Sequence, residues 1–254
     1  MAIQHRKWFV FFTLITILSI TSGCYAFFDD GIEIEGKGER QSYTIDSASI
    51  LDSLVQGNTD IFKLQEAAPA TISTPFSESV TWSQADFFRV AQALHQKSWQ
   101  ETLGKQNLYA VAFVLDCSDI ERGAFSKAEF YSFKIIKTEE EETRVEYYIR
   151  IVPSENLVST SKVEFSPSLQ TMKPIDLEEY QISAEAALQI AEKNGGAEKR
   201  IEYKNGCQID ALAPGPDGKG WRVLYLNNQK LIESYFEIAI DPETGEFKVL
   251  KSKP

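Results

Sequence analysis

The sequence predicts an α+β fold made of two tandem small units, each a helix packed on an antiparallel β-sheet. Three observations lead there. Residues 83–153 and 183–250 follow one plan, a capped amphipathic helix, then strands, then a hairpin. The strands after each helix alternate apolar and polar residues with the period of two of a half-buried sheet. Apolar residues make up 43% of the 254-residue chain and aromatic residues 12%, which supports packed cores rather than disorder. On this reading residues 1–23 are a leader, 24–80 an N-terminal tether and linker, 81–165 the first unit and 176–254 the second.

The leader begins with the charges of His5, Arg6 and Lys7. Trp8 to Ile20 are mostly apolar, and Thr21-Ser22-Gly23 are small residues before Cys24. An apolar helix of that length rises about 20 Å, short of a hydrocarbon core of about 30 Å, so the stretch reads as a cleaved export signal. Thr21-Ser22-Gly23-Cys24 resembles the bacterial lipobox, departing from it at Thr21, where an aliphatic residue is usual. That resemblance implies a diacylglyceryl group on Cys24 and an extracytoplasmic chain held to the cell membrane by its first residue. Two alternatives stay open. Cleavage after Ala26, within Cys24-Tyr25-Ala26, would release a soluble secreted protein, and an uncleaved leader would itself be the anchor.

Gly31, Gly36 and Gly38 among charges read as the tether. Ser47 to Val55 can form a short helix with Ile50, Leu51, Leu54 and Val55 on its apolar face, and Pro69 and Pro75 mark a linker. Ser83 and Asp86 have capping-box character, and Phe87, Val90, Ala91 and Leu94 share a face of a helix over 83–97. Leu108 to Leu115 and Phe130 to Ile136 read as strands. Val145, Tyr147, Ile149 and Ile151 alternate with Glu146, Tyr148, Arg150 and Val152 as a third, and Thr138 to Thr143 is a solvated acidic turn between the last two.

In the second unit Ser183 caps a helix with Ile182 as its staple and Ala184, Ala187, Leu188 and Ala191 on one face. Asn194-Gly195-Gly196 stops it. Arg200 to Tyr203 and Cys207 to Leu212 read as short strands, and Pro214 to Gly218 as a loop. Trp221, Val223 and Tyr225, then Phe236, Ile238 and Ile240, mark two more strands. Asp241-Pro242-Glu243-Thr244-Gly245 turns the chain toward a return strand with Phe247 and Val249.

The run from Ile182 to Ala191, the Trp221-Arg222-Val223 triplet and the Ile240 to Glu246 turn resemble the PepSY domain, over about a third of the chain beyond the leader. The first unit keeps the helix but has Val152-Pro153-Ser154-Glu155-Asn156 in place of the turn. The resemblance implies a non-catalytic α+β module of secreted peptidase propeptides and envelope lipoproteins, one that binds or inhibits peptidases, with no catalytic residues to transfer.

Cys117 and Cys207 are the remaining cysteines. Outside the cytoplasm they can form a disulfide linking the two units. Two buried thiols are the alternative, and no CxxC pair suggests a redox or zinc site. The net charge of −11 becomes −13 once Arg6 and Lys7 leave with the leader, which argues against a nucleic-acid partner. His95, the one histidine beyond the leader, reads as a satisfied helix residue and Trp221 as core. Gly36-Lys37-Gly38 and Gly218-Lys219-Gly220 are too short to cradle phosphate, and Asp210, Asp217 and Asp241 do not fit a calcium loop. No catalytic, cofactor-binding or metal residue is assigned. The functional expectation is an extracytoplasmic binding module, for a secreted peptidase or an envelope protein. The alternative is a structural or assembly component of a cell-envelope complex, with an enzyme ranked below both.

Overall fold

The computed structural model describes residues 37–58, 60–65, 81–123, 125–139, 142–165, 173–216, 218–229 and 235–252. The leader, Cys24, the Cys24-Tyr25-Ala26 alternative, Gly31 and Gly36 of the tether, and Pro69 and Pro75 of the linker lie outside the described residues. The strands are β1 (Lys37–Thr44), β2 (Lys63–Leu64), β3 (Leu108–Asp116), β4 (Lys127–Lys137), β5 (Glu142–Val152), β6 (Leu157–Phe165), β7 (Cys207–Ala213), β8 (Trp221–Asn227), β9 (Tyr235–Ile240) and β10 (Phe247–Ser252). The helices are α1 (Ile50–Val55), α2 (Gln84–Trp99), α3 (Ala184–Ala191) and α4 (Ala197–Glu202).

The expectation of two tandem helix-on-sheet units is overturned. All ten strands form one antiparallel sheet in the order β10-β9-β8-β7-β3-β4-β5-β6-β1-β2. Its centre is the pairing of β3 with β7, from Val111↔Ala213 to Asp116↔Gln208. The physical reason lies in those two strands, which are buried along almost their whole length. A strand buried on both faces cannot leave one edge of backbone groups unpaired without water, so each takes the other as its neighbour.

Helices cover one face of this sheet. Ser83 accepts the Asp86 amide at 3.2 Å and the Asp86 carboxylate accepts the Ser83 amide at 3.0 Å, which closes the capping box and starts α2. Phe87, Val90, Ala91 and Leu94 of α2, with Ala184, Ala187, Leu188 and Ala191 of α3, enter one continuous core with Phe113, Phe130, Ile149 and Tyr225. Trp221 is fully buried there and its indole N–H donates to the Ile182 carbonyl at 2.6 Å. In α1, Ile50 is buried while Val55 stays exposed.

Two local expectations change. Arg200 to Tyr203 belong to helix and its end, not to a strand. Asn194 and Gly195 leave helical geometry, Gly195 at φ +112°, and the chain then re-enters helix as α4. Arg200 reaches back to Glu192 at 3.1 Å and Lys199 pairs with Glu202 at 2.7 Å, contacts that a strand could not make along this segment. After β5, Pro153–Glu155 make a tight 3-10 turn and Asn156 takes φ +50°, returning the chain as β6. Asn156 also accepts the Ser47 amide at 3.1 Å, fixing the approach to α1.

Candidate functional site

Alternation along the strands decides what the second face carries. Where Val145, Tyr147, Ile149 and Ile151 of β5 point toward the helices, Glu146, Tyr148 and Arg150 point away. The same parity puts Arg40 and Ser42 of β1, Glu129, Tyr131 and Phe133 of β4, Ser159 and Ser161 of β6, Asp210 of β7 and Glu237 of β9 on the second face. Among the described residues no helix packs on it.

At its centre Ala112, Val114, Leu212 and Leu224 form a small apolar cluster, with Leu226 against it. Pairing sets Ala112 between Glu129 and Leu212, and Val114 between Lys127 and Asp210. Ion pairs flank the cluster: Lys127–Glu129 at 3.6 Å on one side and Arg222–Glu237 at 2.8 Å on the other. The first pair lies along one strand and the second crosses between β8 and β9, and long charged side chains of this kind lay their apolar stems over the small residues beside them.

Toward β5 the face becomes aromatic. Tyr109, Tyr131, Phe133 and Tyr148 have ring centroids 5.0–6.2 Å apart. Each ring is half-buried. Their polar ends are anchored, since the Tyr131 hydroxyl donates to Glu129 at 3.0 Å and the Tyr109 hydroxyl to Glu146 at 3.2 Å. Glu146 also pairs with Arg144 at 2.6 Å. Burial pushes the Glu146 carboxyl above its ordinary range, while Arg144 pulls the other way. Asp210 is 2% exposed. Burial raises it to about 7, opposed by the Gln208 amide that donates to it at 2.7 Å and by Lys127.

The helix-covered side holds the other sequence-derived candidates. His95 is fully buried. Its Nδ1 lies 2.8 Å from the Glu101 carbonyl and its Nε2 3.0 Å from the Ser132 hydroxyl. A carbonyl can only accept, so Nδ1 carries the proton and Nε2 accepts from Ser132. Burial lowers the His95 pKa and keeps the ring neutral, a satisfied structural histidine. Cys117 and Cys207 are joined as a disulfide with Cα atoms 5.2 Å apart, at the end of the β3–β7 pairing. Gly220, at φ +68°, donates its amide to the Tyr180 hydroxyl at 3.1 Å, so the Gly218-Lys219-Gly220 stretch is a structural turn. Asp241 accepts from the Glu243 and Thr244 amides at 2.9 and 2.8 Å, bonds that hold its carboxyl below the usual range and close the turn. Asp217 lies outside the described residues.

Two clefts open on the helix side. One of 370 Å³ lies between Phe88, Gln92 and Leu103 and the Asp176–Glu178 turn, and one of 270 Å³ lies between Ile120 and α3. Among the described residues no group of three or more His, Cys, Asp or Glu side chains is placed to hold a metal ion, and no helix is long and apolar enough to cross a membrane.

Comparison of the chain with models of known protein families, with curated proteins and with solved structures gives no match. The residues that define the uncovered face were partly visible in the sequence, as the Glu146, Tyr148 and Arg150 side of β5. Their partners on β1, β6, β7 and β9 arrive through strand pairing, which no local pattern encodes.

Proposed function

We propose that this protein is an extracytoplasmic, non-catalytic binding protein, anchored through a lipid on Cys24, that engages a secreted peptidase or an envelope protein with the uncovered face of its sheet. One observation carries the reading. A broad sheet face presents an apolar strip and a tyrosine cluster, bordered by paired charges, with no helix of the described chain across it. Aromatic centres with polar borders are the composition of protein interfaces, whereas a spacer in an envelope complex needs only a uniformly polar surface. The anchor rests on the leader and on Thr21-Ser22-Gly23-Cys24.

Photo-crosslinking tests the reading. A crosslinking residue in place of Tyr131, on the uncovered face, should trap a specific envelope protein in intact cells. The same residue in place of Ile201, exposed on α4, should not. Equal adducts from both positions, or none from Tyr131, would refute it. Mass spectrometry of the mature amino terminus tests the anchor: a diacylglyceryl Cys24 is expected, and a free Phe27 rules it out.

A further inference from the structure

We infer that the β1–β6–β5–β4 part of the uncovered face is a docking site for an extended acidic polypeptide segment of a partner protein, held by Arg40 and Arg150 and stacked on the tyrosine cluster. This rests on the binding reading above and names the chemistry of the partner.

Positive charge is left over on this part of the face. Three cations of this face have their own acids: Lys127 with Glu129, Arg144 with Glu146 and Arg222 with Glu237. The acids nearest the tyrosines are also engaged, Glu129 with Tyr131 and Glu146 with Tyr109. Arg150 differs in its ion pairing: its guanidinium makes no ion pair among the described residues, and its Nε is also buried without a hydrogen-bond partner. Arg40 is exposed and likewise unpaired among the described residues.

Strand pairing puts the two arginines in one patch. Arg40 lies opposite Ser161, which lies opposite Tyr148, which lies opposite Tyr131. One row along, Ser42, Ser159, Arg150 and Glu129 stand in line. With strands about 4.8 Å apart and about 6.8 Å between same-face rows, the two arginine Cα atoms are about 12 Å apart. An extended segment repeats its same-side residues every 6.8 Å or so, so two carboxylates about four positions apart span that distance. The Ser161 hydroxyl between the arginines can donate to the segment, and the rings offer stacking surface. Guanidinium groups recognise carboxylates bidentately, and two that lack an ion pair among the described residues select, at this patch, an acidic segment over a basic one.

Fluorescence anisotropy tests this with the intact exported protein and a labelled ten-residue peptide that has glutamate at every second position and one central tyrosine. The glutamate peptide should bind, and the same peptide with glutamine should bind at least about tenfold more weakly. Arg40→Gln and Arg150→Gln should each weaken the glutamate peptide about tenfold, with circular dichroism unchanged. Arg40 is exposed, so its variant keeps the test decisive if Arg150→Gln fails to fold. Equal binding of both peptides, or wild-type affinity in both variants, overturns the proposal. So does arginine-dependent binding to anionic vesicles in place of the peptide. A concentration-dependent dimer that dissolves in the Arg40→Gln variant would give the surface to a second copy, whose Thr138–Thr143 hairpin is acidic, and would overturn it too. If Tyr131 crosslinks a partner but the arginine variants change nothing, this inference fails while the binding reading stands. If Tyr131 crosslinks nothing, the binding reading itself fails.

Discussion

Replacing Asp210 by asparagine separates charge from shape at a buried carboxylate of the uncovered face. Asparagine keeps the oxygen that accepts from Gln208 and removes the proton equilibrium. In the folded chain Asp210 holds its proton up to about 7, against an ordinary value of 3.8. Between those values the folded state binds more protons than the unfolded one, so the contribution of Asp210 is fully present below 3.8 and is lost as the pH rises through 7. A gap of about three units corresponds to about 4 kcal/mol at most. The stability advantage of the Asp210→Asn variant over wild type should therefore grow by about 1.4 kcal/mol per pH unit between about 4 and 7, then level off. Urea unfolding followed by tryptophan fluorescence at half-unit intervals measures it, and taking the difference cancels every other titrating group. Lys127 pulls the Asp210 value down, so Lys127→Met should move the bend to higher pH. Two curves that stay parallel from pH 4 to 8.5 would refute the reasoning.

Three further outcomes follow from the packing. The Cys117→Ser/Cys207→Ser double variant removes a bridge spanning 90 residues and should lose about 4–5 kcal/mol in chain-entropy terms, read as a lower urea midpoint that reductant no longer changes. Ser83→Ala deletes the hydroxyl that receives the Asp86 amide at the start of α2, for a loss of about 1 kcal/mol in the same assay. Gly196→Ala drives a methyl group into the Tyr225 hydroxyl, which donates to Glu192 at 2.8 Å, and should cost about 1–3 kcal/mol, with Tyr225→Phe relieving part of it.

Much of the helix-side architecture was legible in the sequence because its signals are local. The Ser83 and Ser183 caps, the 3.6-residue periodicity of α2 and α3, and the alternation in β5, β8 and β9 each lie within about a dozen residues. β1 was not legible. Its Lys-Gly-Glu-Arg-Gln-Ser segment is polar throughout, and from Glu39 to Thr44 Tyr43 alone is buried, so it reads like a tether. β6 hides for the same reason, its Ser159 and Ser161 facing the uncovered side. The merger into one sheet escaped because pairing partners are not written locally. The clue was the continuous apolar run Leu108–Leu115, the mark of a strand buried on both faces, whereas Cys207–Leu212 still alternates through Gln208 and Asp210 and reads like an ordinary half-buried strand. The uncovered face suffered most. Tyr148 and Arg150 were visible as one side of a strand, but Arg40 joins them only through two strands that the pattern did not reveal.

The central β3–β7 pairing also sets an order of events. Val111 meets Ala213 and Asp116 meets Gln208 across a separation of about 100 residues, so this ladder closes only after nearly the whole chain is available. If the chain is threaded out amino terminus first, β3 emerges with its apolar edge bare while its neighbour is still to come. That interval is when the protein is most exposed to sticking to itself or to anything else with an open strand. Charges or prolines introduced into β7 should for that reason cut yield more sharply than they cut the stability of the molecules that do mature.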